Sequence, residues 1–256
     1  MKWDASQYLK FERERTQPSI DLAMRIALPD PQRVLDIGCG PGNSTRVLKE
    51  RFPNADILGI DSSAEMVKSA RETHPDLRFD VLDAGSRLSE LPGNFDVVFS
   101  NACIQWIPDH PHLLRNMLGL LRTGGVLAVQ TPMNYEEPIH QIVMEIVSSP
   151  QWQDAFLHPR VFYNLKQNEY VDLLAEFAAD FTVWQTTYLH ILHSHADILE
   201  WYRGTGLRPY LSVLPEERKM DFEQEVFRQI RERYPKQKNG DVVFRFPRFF
   251  FVAIAR

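Results

Sequence analysis

The sequence has few cysteines, no long apolar run and no excess of basic charge, and each absence closes off a class of function. Of 256 residues only 2 are cysteine. Cys39 and Cys103 stand 64 positions apart with no framework around them, which excludes a disulfide scaffold and fits a reducing cytoplasm. The longest clean apolar run, Phe249 to Ala255, falls far short of the ~20 residues of a membrane-spanning helix. The N-terminus, with Met1-Lys2-Trp3-Asp4 and then Glu12-Arg13-Glu14-Arg15, lacks the apolar core of an export signal. The Asn43-Ser44-Thr45 sequon is therefore expected to be coincidental, and the protein cytoplasmic. With 29 Lys and Arg against 34 Asp and Glu, the net charge of −5 is wrong for tracking phosphates along a duplex. No nucleic acid and no membrane partner is expected. An anionic small molecule stays open, because a pocket needs only local positive charge.

What is present is an ordinary folded composition, 44% hydrophobic and 25% charged. Short apolar runs alternate with helix-compatible stretches through the first half. Strands are expected over Arg33–Ile37, Asp56–Asp61, Leu77–Asp83, Phe95–Asn101 and Val126–Thr131. Helices are expected over Asn43–Phe52, from Ser62–Ser63 to His74, and from a cap at Asp109 to about Arg122. Such alternation over about 100 residues points to a parallel sheet with helices on both faces. Beyond residue 135 the pattern changes to helices over Glu136–Ser149 and Gln167–Ala179 and a long strand over Phe181–Leu192. Helices over Ser194–Arg203 and Pro215–Tyr234 follow, then the aromatic strand Val242–Ala255. Pro247 inside that strand removes a ladder donor, so a bulge is expected there.

The strongest chemical signal is Val34-Leu35-Asp36-Ile37-Gly38-Cys39-Gly40-Pro41-Gly42-Asn43, three glycines at spacing two between a strand and a helix. Glycines there let backbone amides approach a ligand closely. A dinucleotide fingerprint requires G-x-G-x-x-G, but the third position after Gly40 is Asn43. Asp36 would repel a pyrophosphate and suits a cation or an amino group. Asp61 ends the second expected strand 19 residues after Gly42, where a carboxylate can accept both hydroxyls of a ribose. Asp83 ends the third, placed for an exocyclic amine. Taken singly, such acids are helix caps or loop carboxylates, and Cys39 is a small loop residue rather than a nucleophile. There is no G-x-S-x-G elbow, P-loop or H-E-x-x-H, and the paired histidines His193/His195 and His110/His112 have no partners at metal-ligand spacing, so no metal is expected.

Over about residues 33–131 this order and spacing resembles the class I S-adenosylmethionine-dependent methyltransferases. The resemblance implies an α/β, Rossmann-like fold: a mostly parallel seven-stranded sheet with an antiparallel last strand and a helical lid inserted before it. It implies one domain over 1–256, with a helical N-terminal segment 1–30, a cofactor core 31–135 and a helical insertion 194–236. The cofactor it implies is S-adenosyl-L-methionine and the product S-adenosyl-L-homocysteine. By resemblance Asp36, Gly38, Gly40 and Gly42 hold the methionine part and Asp61 the ribose. Met66 would pack on adenine, Asp83 and Ala84 would meet its amino edge, and Asn101 completes the cofactor set. The fourth strand ends Ser100-Asn101-Ala102-Cys103, unlike the Asn-Pro-Pro-Tyr with which many DNA amino-methyltransferases grip a flipped base.

Three flanking stretches resemble members of that class that esterify a small tricarboxylic acid. They are Trp3 with Tyr8 to Phe11 and Glu14-Arg15; Asn101 to Trp106; and Thr205 to Tyr210, with Phe246-Pro247-Arg248 near the end. A carboxylate with pKa about 4 is already ionised at neutral pH, so no catalytic base is expected; alignment and exclusion of water suffice. Three carboxylates must be desolvated, for which bidentate arginines are efficient. Arg15, Arg208 and Arg248 are the candidates, with Tyr8, Gln105, Trp106 and Tyr210 as walls or hydrogen-bonding groups. Other readings are a methyltransferase for another small acid or a carrier-bound malonyl thioester, a non-catalytic S-adenosylmethionine-binding protein and, more distantly, a dehydrogenase.

Overall fold

The computed structural model describes residues 12–156, 162–204 and 206–256; for 12–15 it describes the backbone alone. The described residues divide into two compact units: one of 15–132, 162–186 and 248–256, the other of 12–14, 133–156 and most of 187–247.

The first unit takes in helix α1 (Glu12–Met24) from Arg15 onward and carries β1 (Arg33–Ile37), α2 (Asn43–Arg51), β2 (Asp56–Asp61), α3 (Ala64–Thr73), β3 (Arg78–Val81), β4 (Phe95–Asn101), α4 (His110–Gly119) and β5 (Leu121–Pro132). It also holds α6 (Gln167–Phe177), the start of β6 (Ala178–Leu192) and the end of β7 (Val242–Ala255). The seven strands lie in the order β3-β2-β1-β4-β5-β7-β6. β1 pairs in parallel with β2 and β4, β2 with β3, and β4 with β5, whereas β7 runs antiparallel to β5. The central strands are apolar on consecutive residues because both faces are covered: Val34, Leu35, Val97, Val98, Leu127 and Ala128 are wholly buried. The order reverses between β1 and β4, the place where open α/β sheets bind ligands at the carboxyl ends of their strands.

Local signals set the helix starts. Ser63 Oγ accepts the Met66 N–H at 3.3 Å and Asp109 Oδ1 the His112 N–H at 3.3 Å, each satisfying an orphan donor of the first turn. Several expected features differ. α4 stops at Gly119, because Leu120 gives its carbonyl to the Phe95 N–H and Leu121 pairs with Phe95. Gly124 and Gly125 therefore form an excursion within β5 before Val126 rejoins β4 opposite Val97. β3 is shorter than expected, since after Val81 the chain turns around Asp83. Finally, Pro247 needs no bulge: β5 and β7 pair in one register from Val126↔Ile254 to Pro132↔Arg248. Met133 N–H then donates to the Pro247 carbonyl, so the donor that proline lacks falls beyond the end of β5.

The second unit is built from α5 (Pro138–Val147), α7 (His195–Arg203), α8 (Arg208–Val213) and α9 (Glu216–Arg233) with the remainders of β6 and β7. Apolar residues at helical spacing, Ile139, Ile142, Val143 and Ile146 on α5 and Phe222, Val226 and Ile230 on α9, meet in one aromatic-rich core with Trp152, Trp201, Tyr210 and Phe244. Among the described residues no helix is long and apolar enough to cross a membrane.

Candidate functional site

The glycine loop joins β1 to α2 with Gly38, Gly40 and Gly42 all at positive φ (75°, 53° and 96°). Side-chain-bearing residues seldom adopt that region. Two of the three also have no room for a Cβ. At Gly38 it would stand 2.2 Å from Cys103 Sγ, and at Gly42 2.6 Å from the His74 ring. Gly40 differs, because nothing among the described residues lies within 4 Å of its would-be Cβ. Among those residues, its face of the loop is the open one.

The loop's donors are spent within the protein. Gly38 and Cys39 N–H groups both donate to the Ile60 carbonyl at 2.8 and 3.0 Å, Gly40 N–H to Asp61 Oδ2 at 3.0 Å, and Gly42 N–H to the Cys39 carbonyl at 2.9 Å. The expectation that these amides reach a ligand is thereby corrected: the turn uses them to bind β2. What the site offers is acceptors. Asp36 is wholly buried; its Oδ2 accepts the Ser44 and Thr45 hydroxyls, each at 2.6 Å, while Oδ1 is buried and has no partner among the described residues. Burial, and secondarily the negative Asp61, push its carboxyl up to about 6 against the two hydroxyl bonds. Asn101 Oδ1, at the end of β4, is likewise buried and unpartnered. Unpaired buried acceptors beside an open glycine face fit a ligand that brings donors and positive charge.

Asp61 closes β2. Its Oδ1 accepts the Ser63 N–H at 2.8 Å and its Oδ2 the Gly40 N–H, so two fixed amides hold the carboxylate. Leu82 N–H donates to the Asp61 carbonyl at 3.0 Å, which brings Asp83 alongside. Asp83 is exposed and turns the chain by accepting the Gly85 N–H at 2.9 Å and the Ser86 hydroxyl at 2.8 Å; Ala84 beside it is buried. Met66 lies half-buried in the first turn of α3. The Cys103 thiol reports how these groups gather: burial first, with Asp61, Asp36 and Asp83 adding to it, raises it to about 12. Burial pushes the Cys39 thiol up as well, with Asp36 adding to it, so neither sulfur is a thiolate at neutral pH.

The residues expected to hold an acid are placed unequally. Tyr8 lies outside the described residues, as does the Arg15 side chain. Gln105 is buried, its Nε2 donating to the Ala102 carbonyl at 2.7 Å and its Oε1 accepting the Thr131 hydroxyl at 3.3 Å. Trp106 is 39% exposed, with its ring 4.7 Å from that of Phe162. Arg248 lies in β7 opposite Pro132, half-buried. In the second unit, Tyr210 belongs to the core: its ring meets Phe156 edge-on at 5.5 Å and its hydroxyl reaches Met144 Sδ at 3.8 Å. Arg208, the first residue of α8, is half-buried and has no partner among the described residues. The same unit pairs Arg203 with Glu223, Arg228 with Glu225 and Arg233 with Glu145.

Sequence reasoning missed the Ser44 and Thr45 hydroxyls that orient Asp36, although the tripeptide Asn43-Ser44-Thr45 stood out for another reason. His110, expected from sequence as an ordinary surface or cap histidine, is instead a buried ring whose Nε2 donates to the Ile104 carbonyl at 2.9 Å and whose Nδ1 accepts the Tyr170 hydroxyl at 2.7 Å.

Comparison with known proteins gives this arrangement a family. Residues 30–193 match the model of a methyltransferase domain. The trans-aconitate 2-methyltransferase of Rhodopseudomonas palustris BisB18 is 42% identical over 254 residues, 98% of each chain. That of Azoarcus sp. BH72 is 43% identical over 253 residues, again 98% of each. Among solved structures, the YcgJ protein of Bacillus subtilis, 17% identical, shares the fold with a TM-score of 0.62 over 94% of this chain and 99% of that one. The chain belongs to the trans-aconitate 2-methyltransferase family.

Proposed function

We propose that this protein is an S-adenosylmethionine-dependent carboxyl O-methyltransferase that forms the monomethyl ester of trans-aconitate. The observation that carries this reading is identity above 40% along nearly the whole length of relatives bearing that activity in their names. The acceptor-lined glycine loop supports the cofactor. S-adenosyl-L-methionine supplies a methyl group on a sulfonium sulfur, together with an ammonium group and a ribose. Asp36 Oδ1 and Asn101 Oδ1 are acceptors for its cationic part, and Asp61, held by two amides, is the acceptor for ribose hydroxyls. Met66, Asp83 and Ala84 are assigned to the adenine.

The reaction needs little acid–base chemistry from the chain. The acceptor oxygen belongs to a carboxylate already ionised at neutral pH, so the protein's work is to bind the anion, orient one oxygen and exclude water from it. Arg208 is the leading carboxylate-binding residue, as a half-buried cation with no counter-ion among the described residues. Arg248 and the partly exposed Trp106 are further residues assigned to the acid, and the helical insertion 194–236 is the segment assigned to recognising the acceptor. We place the protein in the cytoplasm, where Cys39 and Cys103 stay reduced.

The test is labelled methyl transfer from S-adenosylmethionine to trans-aconitate, citrate, isocitrate and a malonyl carrier protein in parallel. Transfer to trans-aconitate at the highest kcat/KM is expected. Transfer to another of these acceptors and none to trans-aconitate would overturn the substrate.

A further inference from the structure

The turn after β4 holds an unfavourable backbone conformation, and several separate contacts keep it there. Ala102 has φ of 52°, a left-handed value that residues with a Cβ keep only where their surroundings over-determine it. Its N–H donates to the Gln130 carbonyl at 2.9 Å and its own carbonyl accepts from Gln105 Nε2 at 2.7 Å. Gln105 is fixed in turn. Thr131 donates its single hydroxyl proton to Gln105 Oε1 and accepts from Asn164 Nδ2 at 3.0 Å, while Asn164 Nδ2 also reaches the Pro132 carbonyl at 2.5 Å. This chain of donors and acceptors admits one orientation of the Gln105 amide, with nitrogen on Ala102. The backbone of Gln105 is tied down as well, its carbonyl accepting the Tyr163 N–H at 3.0 Å.

What the turn presents is Cys103. Its Cβ and Sγ occupy the space that a side chain on Gly38 would need, 2.3 and 2.2 Å from the would-be Cβ. The turn and the glycine loop are thus packed directly against each other, and a rotation at Ala102 would withdraw Cys103 from Gly38 and let the loop relax.

We propose that Gln105 is a positioning residue. By holding Ala102 in the left-handed conformation it seats Cys103 against Gly38 and fixes the glycine loop in its cofactor-binding shape, without touching the acid. This rests on the reading of the loop as the S-adenosylmethionine site.

The test is calorimetry with S-adenosylhomocysteine on the full chain carrying Gln105→Leu, Ala102→Gly or both. Glycine adopts φ of 52° unaided. Gln105→Leu is therefore expected to weaken binding by about tenfold when Ala102 is present and by less than about threefold in the Ala102→Gly background, the size of one buried hydrogen bond. The KM for trans-aconitate at saturating cofactor should change little. Equal losses in the two backgrounds, or unchanged cofactor affinity with a raised KM for the acid, would overturn the proposal. Should Gln105→Leu give no cooperative melt, the same two backgrounds are compared with Thr131→Val, which releases Gln105 Oε1 while Asn164 Nδ2 keeps its bond to the Pro132 carbonyl, and equal losses again overturn it. A wild-type chain that fails to bind S-adenosylhomocysteine would overturn the cofactor reading instead, so the two failures are distinguishable.

Discussion

Gly38 and Cys103 share a space that holds one side chain: a Cβ on Gly38 would lie 2.2 Å from Cys103 Sγ. Gly38→Ala must therefore displace β4's following turn as well as strain a backbone at φ of 75°. Overpacking and left-handed strain together cost about 3 kcal/mol. At Gly40 there is strain at φ of 53° but no clash, and the cost is about 1 kcal/mol. Thermal melts should show a large fall in Tm for Gly38→Ala and a small one for Gly40→Ala, while calorimetry shows that Gly40→Ala still loses affinity for S-adenosylhomocysteine. Equal melts for the two variants would contradict this packing.

Asp36 makes cofactor binding depend on pH. Its carboxyl is raised from 3.8 to about 6, chiefly by burial. In the unliganded protein the raised value means that stability falls as pH climbs from about 4 through about 6, because the folded state holds the proton more tightly. A cationic ligand group reverses the preference and favours the carboxylate. Affinity for S-adenosylhomocysteine should be constant above about pH 7 and fall by up to about tenfold per unit below about 6. Asp36→Asn should flatten that slope; a slope that survives the substitution would assign the titration to another group.

His110 titrates with the opposite sign. Burial lowers its pKa below the ordinary 6.5, against the bonds to Ile104 and Ile107. Its neutral ring is the form that the structure uses: Nε2 donates to a carbonyl and Nδ1 accepts the Tyr170 hydroxyl. A depressed histidine contributes stability above pH 6.5 that is lost as pH falls toward its folded value. Urea melts of wild type minus His110→Gln, taken from pH 7.5 to 5, isolate this contribution from that of Asp36, and the difference should shrink on acidification. Tyr170→Phe leaves Nδ1 buried without a donor and should cost about 1–3 kcal/mol at neutral pH.

How far the sequence disclosed the molecule depends on how local each feature is. β2, β4 and β7 were readable to the residue, because apolar runs bounded by Asp, Asn or Gly carry their own ends. So was the glycine loop, whose strand, turn and helix lie within twenty residues. The end of α4 was misread because its stop depends on Leu120 and Leu121 meeting Phe95, a pairing across the sheet. Gln105 was identified as a candidate from its neighbours in sequence, but its hydrogen bonds run to Ala102 and to Thr131, itself held by Asn164. Nothing in a linear reading shows that Ala102 sits at positive φ, and without that the amide has no visible purpose.

Arg208 offers the clearest separation of acid binding from cofactor binding. It opens α8 half-buried, and it has no partner among the described residues although the arginines of its unit are otherwise largely paired. A half-buried guanidinium with no counter-ion among the described residues is placed to take a carboxylate from a ligand. Charge-assisted hydrogen bonds to one carboxylate contribute about 2 kcal/mol, so Arg208→Ala should raise the KM for trans-aconitate by about thirtyfold. Arg208→Lys keeps the charge but loses the fork, and should recover only part of that. Affinity for S-adenosylhomocysteine should stay within about twofold of wild type in both variants, since the groups assigned to the cofactor lie on β1, β2 and β4, on the first turn of α3 and in the turn after β3. An unchanged KM in Arg208→Ala would remove this residue from acid recognition, and a parallel loss of cofactor affinity would show that the substitution had disturbed the fold.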